Sequence, residues 1–115
     1  MIRIANVNEL PSSEEGFRVL VTRKWPRGIP KDAVDLWVKD LGGNPELLKE
    51  YRKGKISKAG FQSCYMAETS EPGRQELILD LQRRALNGKN LILMCDFEEE
   101  DGSVRRMLKE VLEAY

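Results

Sequence analysis

The sequence predicts an α/β fold in which a small parallel or mixed three-stranded sheet is flanked by about five helices in a Rossmann-like three-layer arrangement. Apolar residues recur in 2–7 and fill 19–21 and 91–95, and these segments have the length of strands. The last two runs are apolar throughout, which is typical of strands covered on both faces. Amphipathic segments with helical spacing lie between them, and this order favours parallel pairing through right-handed crossovers.

The elements follow one another along the chain with recognisable boundaries. Ile2, Ile4 and Val7 predict the first strand, and residues 11–16 form the loop after it. Val19–Val21 is the second strand. A helix is predicted after Pro30, because four apolar residues recur at i, i+3, i+4 and i+7: Val34, Trp37, Val38 and Leu41.

Capping residues predict where the next helices begin. Asn44 caps a helix with Pro45 at its first position, and Ser57 begins another. The apolar stripe of this second helix is Phe61, Cys64, Tyr65 and Glu68, which places Cys64 in the core. Pro72 opens the longest helix. The third strand at 91–95 precedes a last helix with the stripe Val104, Met107, Leu108 and Val111.

Composition narrows the classes of function. A chain of 115 residues is expected to form one domain, 1–115. Lys+Arg and Asp+Glu both number 19, so no global field favours nucleic acid, and no nucleic-acid partner is expected. No apolar stretch approaches the ~20 residues that cross a bilayer. The start of the sequence lacks the apolar segment of a signal peptide. We therefore expect a cytoplasmic protein without a membrane partner.

The absence of histidine excludes several kinds of site. Ser/His and Cys/His nucleophiles and histidine-based zinc sites all need that residue. Two cysteines, Cys64 and Cys95, are too few for a tetrahedral Cys-rich zinc site, and in the cytoplasm both are expected to be reduced. We predict neither a metal nor a cofactor.

The loop after the second strand is the most informative segment. It carries Arg23, Trp25, Arg27 and Gly28 beyond the carboxyl end of a buried strand, where parallel α/β sheets bind ligands. Guanidinium groups suit phosphate or carboxylate, and the indole offers a stacking face. These residues predict a binding site for a small anionic ligand. The alternative is that Trp25 fills the core while the arginines pair with the Glu-rich stretch 98–101.

Cys95 ends the third strand at the same predicted edge. Nearby cations, among them Arg105 of the last helix, and a helix dipole could stabilise its thiolate. One hypothesis therefore places Arg105 in the ligand site, and a second makes Cys95 the catalytic nucleophile of a thiol-dependent enzyme. The alternative is that Cys95 is a small core residue.

Two clusters of charged residues are more simply explained as solvated surface than as binding sites. The acidic stretch 96–101 lacks the spacing of a calcium loop. A basic cluster is typical of a solvated helix face, although it also supports a third hypothesis, a regulatory module that docks a partner protein. Its members are Lys49, Arg52, Lys53, Lys55 and Lys58. A homodimer through a helix face stays open.

The chain resembles the YeaO-like family, a bacterial and archaeal domain of unknown function. The most specific motif is Arg23 followed by Trp25–Ile29. Two further blocks match, and they comprise Asp35, Leu36, Trp37, Lys39, Asp40 and Leu41, then Phe61, Tyr65 and Glu68. The resemblance implies an α/β fold with a small parallel sheet and no established activity.

Some positions depart from the pattern of that family. Thr22 stands where relatives usually have aspartate, and Lys24 stands where they have leucine. Gly102-Ser103-Val104 replaces a segment that commonly carries histidine and asparagine. If those groups perform chemistry in relatives, the resemblance implies that this chain retains binding without turnover.

Overall fold

The computed structural model describes residues 1–95 and 104–114. Its strands are β1 (Ile2–Asn6), β2 (Phe17–Leu20), β3 (Leu36–Trp37) and β4 (Leu91–Cys95). The α-helices within these ranges are α1 (Pro45–Arg52), α2 (Lys58–Thr69), α3 (Pro72–Leu86) and α4 (Val104–Glu113). None of these helices is long and apolar enough to cross a membrane.

The four strands form one parallel sheet in the order β1-β4-β2-β3. β4 lies in the middle, and its Leu93 is in register with Ile4 on one side and Val19 on the other. All five residues of β4 are buried, as its uninterrupted apolar sequence predicts. The predicted α/β class and parallel sheet are confirmed. The predicted strand number was wrong, because the sheet has four strands and not three.

The fourth strand lies where a helix was predicted. β3 pairs with β2, and the backbone N–H groups of Asp35 and Val38 donate to the carbonyl oxygens of Arg18 and Leu20. Short 3₁₀ turns, Lys31–Ala33 and Lys39–Leu41, flank the strand. The helical spacing of the apolar residues here was coincidental, since tertiary hydrogen bonds from β2 hold the segment extended.

The two faces of the sheet are covered differently. All four helices contribute to the helix-side core, which is the buried cluster around Val19, Leu91 and Leu93. The loop-side core on the other face consists of Ala5, Val7, Leu20, Ile92 and Met94, with Trp25, Ile29 and Val34 packed against it. No α-helix of the described chain contributes to this second cluster. The segment after β2 therefore takes the place of the second helical layer in the predicted three-layer arrangement.

Local signals at the helix starts are confirmed. The Asn44 side chain accepts from the N–H groups of Glu46 and Leu47, and Ser57 Oγ accepts from Gly60 N at 3.0 Å. The core position predicted for Cys64 was wrong, because this side chain is exposed on α2. The buried stripe of α2 consists of Phe61, Tyr65 and Thr69. Cys64 lies beside that stripe, on the part of the helix surface that faces solvent.

Candidate functional site

The carboxyl ends of all four strands lie along one edge of the sheet, because every pairing is parallel. Asn6 ends β1 beside Cys95 of β4, and β2 and β3 end at Leu20 and Trp37. The candidate loop is the segment after β2 that carries Arg23, Trp25, Arg27 and Gly28. It begins with Val21 and Thr22, which are both buried. This edge therefore positions the residues that the sequence singled out.

A tight turn holds the candidate loop in shape. Ile29 N donates to Pro26 O at 3.4 Å, and Gly28 has a φ of 82°, a value that favours glycine. The indole Nε1 of Trp25 donates to Ile29 O at 2.8 Å and ties the base of the turn. Arg27 is exposed at the tip. The sequence thus forms a small, braced turn that presents one guanidinium to solvent.

Two tryptophans meet beside this turn. The rings of Trp25 and Trp37 lie 5.4 Å apart at 77°, an edge-to-face arrangement. Trp37 Nε1 donates to Thr22 O at 2.7 Å, and Lys39 Nζ lies 5.7 Å from the Trp37 ring centroid. Both indole N–H groups are therefore bonded to backbone oxygens, which fixes the orientation of both rings.

The tryptophan pair opens into a groove of about 480 Å³. Its lining is formed by Trp25, Lys31, Val34, Asp35, Leu36 and Trp37. The walls are aromatic and aliphatic, with one cation and one carboxylate at the rim. A groove with this lining can contact a planar group through hydrophobic surfaces while Lys31 contacts an anion.

The carboxylate of this groove is already engaged. Asp35 Oδ2 accepts from the backbone N and from Nε of Arg18 at 2.8 and 3.0 Å, and Oδ1 accepts from NH2 at 3.1 Å. The side-chain hydrogen bond from Arg18 is the largest cause of a lowered pKa at Asp35. The same bond raises the pKa of Arg18. Asp35 is thus a charged structural anchor between β2 and β3.

Arg23 extends towards the helix side of the sheet, where it contacts Gly42 and Glu68. Its Nε donates to Gly42 O at 3.0 Å, and NH2 lies 3.6 Å from Oε2 of Glu68. Asn44 Nδ2 donates to the other oxygen of Glu68 at 3.3 Å. The side chains of Arg23 and Glu68 are 24% and 23% exposed, so solvent reaches both.

Arg105 and Cys95 lie deeper, at the ends of β1 and β4. Arg105 is 6% exposed and donates from NH1 to Ala5 O, while Cys95 is 1% exposed. The nearby Asn6 Oδ1 accepts from Asn8 N, and its buried Nδ2 has no hydrogen-bond partner among the described residues. Arg105 and Cys95 are thus packed inside the protein at the carboxyl edge of the sheet, and neither the guanidinium nor the thiol is open to solvent.

The predicted site residues therefore fall into two groups on one edge. Trp25, Arg27 and Gly28 form the braced turn with Arg23 just before it, whereas Cys95 and Arg105 are buried near β1. Sequence reasoning missed three participants. They are Trp37 and Lys31 in the groove and Glu68 beside Arg23.

Some of the segments considered in the sequence analysis lie outside the described residues. The acidic stretch 96–101 is one of them, and so are Gly102 and Ser103.

The structure places every residue of the basic cluster on the surface. The exposed residues are Lys49, Arg52, Lys53, Lys55 and Lys58.

Comparisons with known proteins identify relatives. Residues 2–115 match the family described as the active DUF488-N3 subclade. The uncharacterized protein YeaO of Escherichia coli (strain K12) is 35% identical over 72 residues, which are 61% of this chain and 63% of YeaO. This match confirms the resemblance inferred from the sequence.

Two mycobacterial relatives are similar over a comparable stretch. The uncharacterized proteins Mb3100c of Mycobacterium bovis and Rv3073c of Mycobacterium tuberculosis are each 39% identical over 69 residues. Those residues are 58% of this chain and 58% of each relative. The matches thus span about three fifths of the length of these curated relatives. No solved structure matches the chain significantly.

Proposed function

We propose that this chain, which belongs to the family described as the active DUF488-N3 subclade, binds a small anionic ligand at the carboxyl edge of its sheet. The ligand is phosphate- or nucleotide-like, with a planar ring. One observation carries this proposal, namely the groove of about 480 Å³ that the contacting tryptophans Trp25 and Trp37 help to line. A preformed, mostly apolar cleft with a few charged groups at its rim is typical of small-molecule sites.

In this proposal the groove takes the planar ring and the braced turn takes the anion. Trp25 and Trp37 wall the ring, because their indole N–H groups are held by Ile29 O and Thr22 O. Arg27 and Lys31 are both exposed, and neither has a carboxylate partner among the ion pairs of the described residues. Cations in that position can bind phosphate oxygens without first breaking an internal salt bridge.

The buried candidates take supporting roles. Arg105 holds the end of β1 through Ala5 O, which keeps the edge in place without contacting the ligand. Cys95 is 1% exposed, and a nucleophile must be reached by its substrate, so no observation in the described residues favours the thiol-enzyme alternative. The basic cluster is exposed, as both a solvated helix face and a partner-binding surface would be. Its exposure therefore does not favour the hypothesis of an interaction module.

Calorimetric titration with adenosine 5′-monophosphate and with inorganic phosphate tests the proposal. We expect the nucleotide to bind more tightly than phosphate, because only the nucleotide fills the groove. Arg27→Ala should weaken nucleotide binding about tenfold or more, the range for a hydrogen bond to a charged group. Arg83→Ala removes an exposed arginine on α3 and is the matched control. Absence of nucleotide binding, or equal losses in both variants, would overturn the proposal.

A further inference from the structure

A second polar cluster lies on the helix side of the candidate loop. Glu68, in the last turn of α2, faces the guanidinium of Arg23 and the side-chain amide of Asn44. The three side chains come from three segments: the residues after β2, the N-cap of α1 and the end of α2. None of the hypotheses drawn from the sequence included Glu68.

Contacts that do not involve the carboxylate position this cluster. Arg23 Nε donates to Gly42 O at 3.0 Å, and Asn44 Oδ1 accepts from Glu46 N at 2.9 Å. Tyr65, one turn before Glu68, donates its hydroxyl to Leu41 O at 2.7 Å. α2 and the loop before α1 are thus joined independently of Glu68.

Close backbone packing adds to this rigidity. A Cβ on Gly42 would lie 2.8 Å from Arg23 N and 2.8 Å from the carbonyl carbon of Thr22. Only glycine permits this approach of the two backbones. The segment that carries Asn44 is therefore held directly against the segment that carries Arg23.

The contacts to the Glu68 carboxylate itself are loose. The distance of 3.6 Å to Arg23 NH2 exceeds a hydrogen bond, and the bond of 3.3 Å from Asn44 is long. A carboxylate has about four lone-pair positions, and the hydrogen bonds within residues 1–95 and 104–114 use only a part of this acceptor capacity. At 3.6 Å the Arg23–Glu68 pair thus lacks the short, hydrogen-bonded geometry of the Arg18–Asp35 pair.

The cluster adjoins the tryptophan groove through two consecutive residues. Thr22 O accepts from the Trp37 indole, and Arg23 follows directly and reaches towards Glu68. A carboxylate beside two N–H donors binds sugar hydroxyls well, since it accepts from the hydroxyl hydrogens while the donors reach the hydroxyl oxygens. We propose that Glu68, with Arg23 and Asn44, binds the sugar hydroxyls of the ligand. The ligand class is then a nucleotide with a ribose diol, an inference that rests on the proposed function.

The experiment compares adenosine 5′-monophosphate with its 2′,3′-dideoxy analogue on the full chain. We expect the wild type to bind the diol-containing nucleotide about tenfold or more tightly, as expected for hydrogen bonds to a charged group. In Glu68→Gln this preference should fall below about threefold while affinity for the dideoxy analogue is unchanged, because the neutral amide accepts more weakly. Glu76→Gln, at an exposed glutamate of α3, should retain the full preference.

The outcomes separate the two proposals. Equal affinity of the wild type for both nucleotides would overturn the role of Glu68 and leave the groove as the ligand site. A preference that survives in Glu68→Gln would also overturn that role. Failure of both nucleotides to bind the wild type would instead contradict the proposed function. The comparison of two probes on the wild type needs no variant, so a misfolded variant cannot obscure the result.

Discussion

The hydrogen-bonded ion pair between Arg18 and Asp35 is expected to be a main determinant of the position and stability of β3. Three hydrogen bonds of 2.8–3.1 Å join the carboxylate to Arg18, whose side chain is 11% exposed. Asp35→Asn keeps one acceptor oxygen and places a neutral amide against a nearly buried guanidinium. Hydrogen bonds to charged groups contribute about 1.5–3 kcal/mol each. Because the carboxylate is partly exposed, we expect a net loss of about 2 kcal/mol for the substitution.

The loss should depend on pH with a definite sign. The pKa of Asp35 is lowered in the folded protein, chiefly by the Arg18 side chain. Its contribution is therefore fully present above the unfolded pKa of about 3.9 and is lost as the pH falls through the folded value. The difference in stability between wild type and Asp35→Asn should shrink steadily below about pH 4.

Thermal unfolding followed by circular dichroism measures this prediction. A loss of about 2 kcal/mol corresponds to a decrease in Tm of about 8 °C for a domain of this size. Asp80→Asn is the control, because Asp80 pairs with Arg84 at 3.1 Å on the surface of α3. That variant should lose less than about 0.5 kcal/mol. A Tm decrease below about 2 °C at pH 7 for Asp35→Asn, or a difference that does not shrink in acid, would refute the reasoning.

Three further outcomes are expected from simple measurements. Gly28→Ala should lower the free energy of unfolding by about 1 kcal/mol because of its positive φ, whereas Gly73→Ala in α3 should be neutral or stabilising; similar melting changes in both would contradict this. Iodoacetamide should label Cys64 in the native protein and Cys95 only after denaturation, as read by mass spectrometry; equal native labelling would count against the burial of Cys95. Asn44→Ala should cost about 1 kcal/mol through loss of the α1 cap, and an unchanged urea midpoint would refute that.

The parts of the fold that depend on local signals could be predicted from the sequence. The buried strand Leu91–Cys95 is apolar throughout, and its sequence alone indicates a central position. Asn44 and Ser57 cap helices through bonds to residues two or three positions away, so a short stretch of sequence contains both partners. Such features do not require knowledge of distant contacts.

β3 could not be predicted in this way. A strand of two residues has too little pattern, and its position depends on Arg18, which is 17 residues from Asp35. The apolar positions around it also fit a helix, and periodicity cannot distinguish the two for a short segment. Long-range hydrogen bonding decided the structure there.

The candidate site was predictable only in part. Trp25 and Arg27 were identified because a strand that ends in aromatic and basic residues is unusual. Trp37 was assigned to a helix stripe, and the error in β3 therefore concealed the second wall of the groove. Glu68 offered a signal, since it occupies an apolar stripe position in α2, and a charged residue there indicates a partner such as Arg23.

The indole N–H signals of Trp25 and Trp37 test the central claim most directly, because the chain has only these two tryptophans and each N–H is bonded to a backbone oxygen of the site. Adenosine 5′-monophosphate added to ¹⁵N-labelled protein should shift both signals saturably with one common Kd. The titration extends to about 10 mM, where even complexes of millimolar affinity are mostly formed. Two signals that stay in place over that range would contradict the claim that this edge of the sheet is a ligand site.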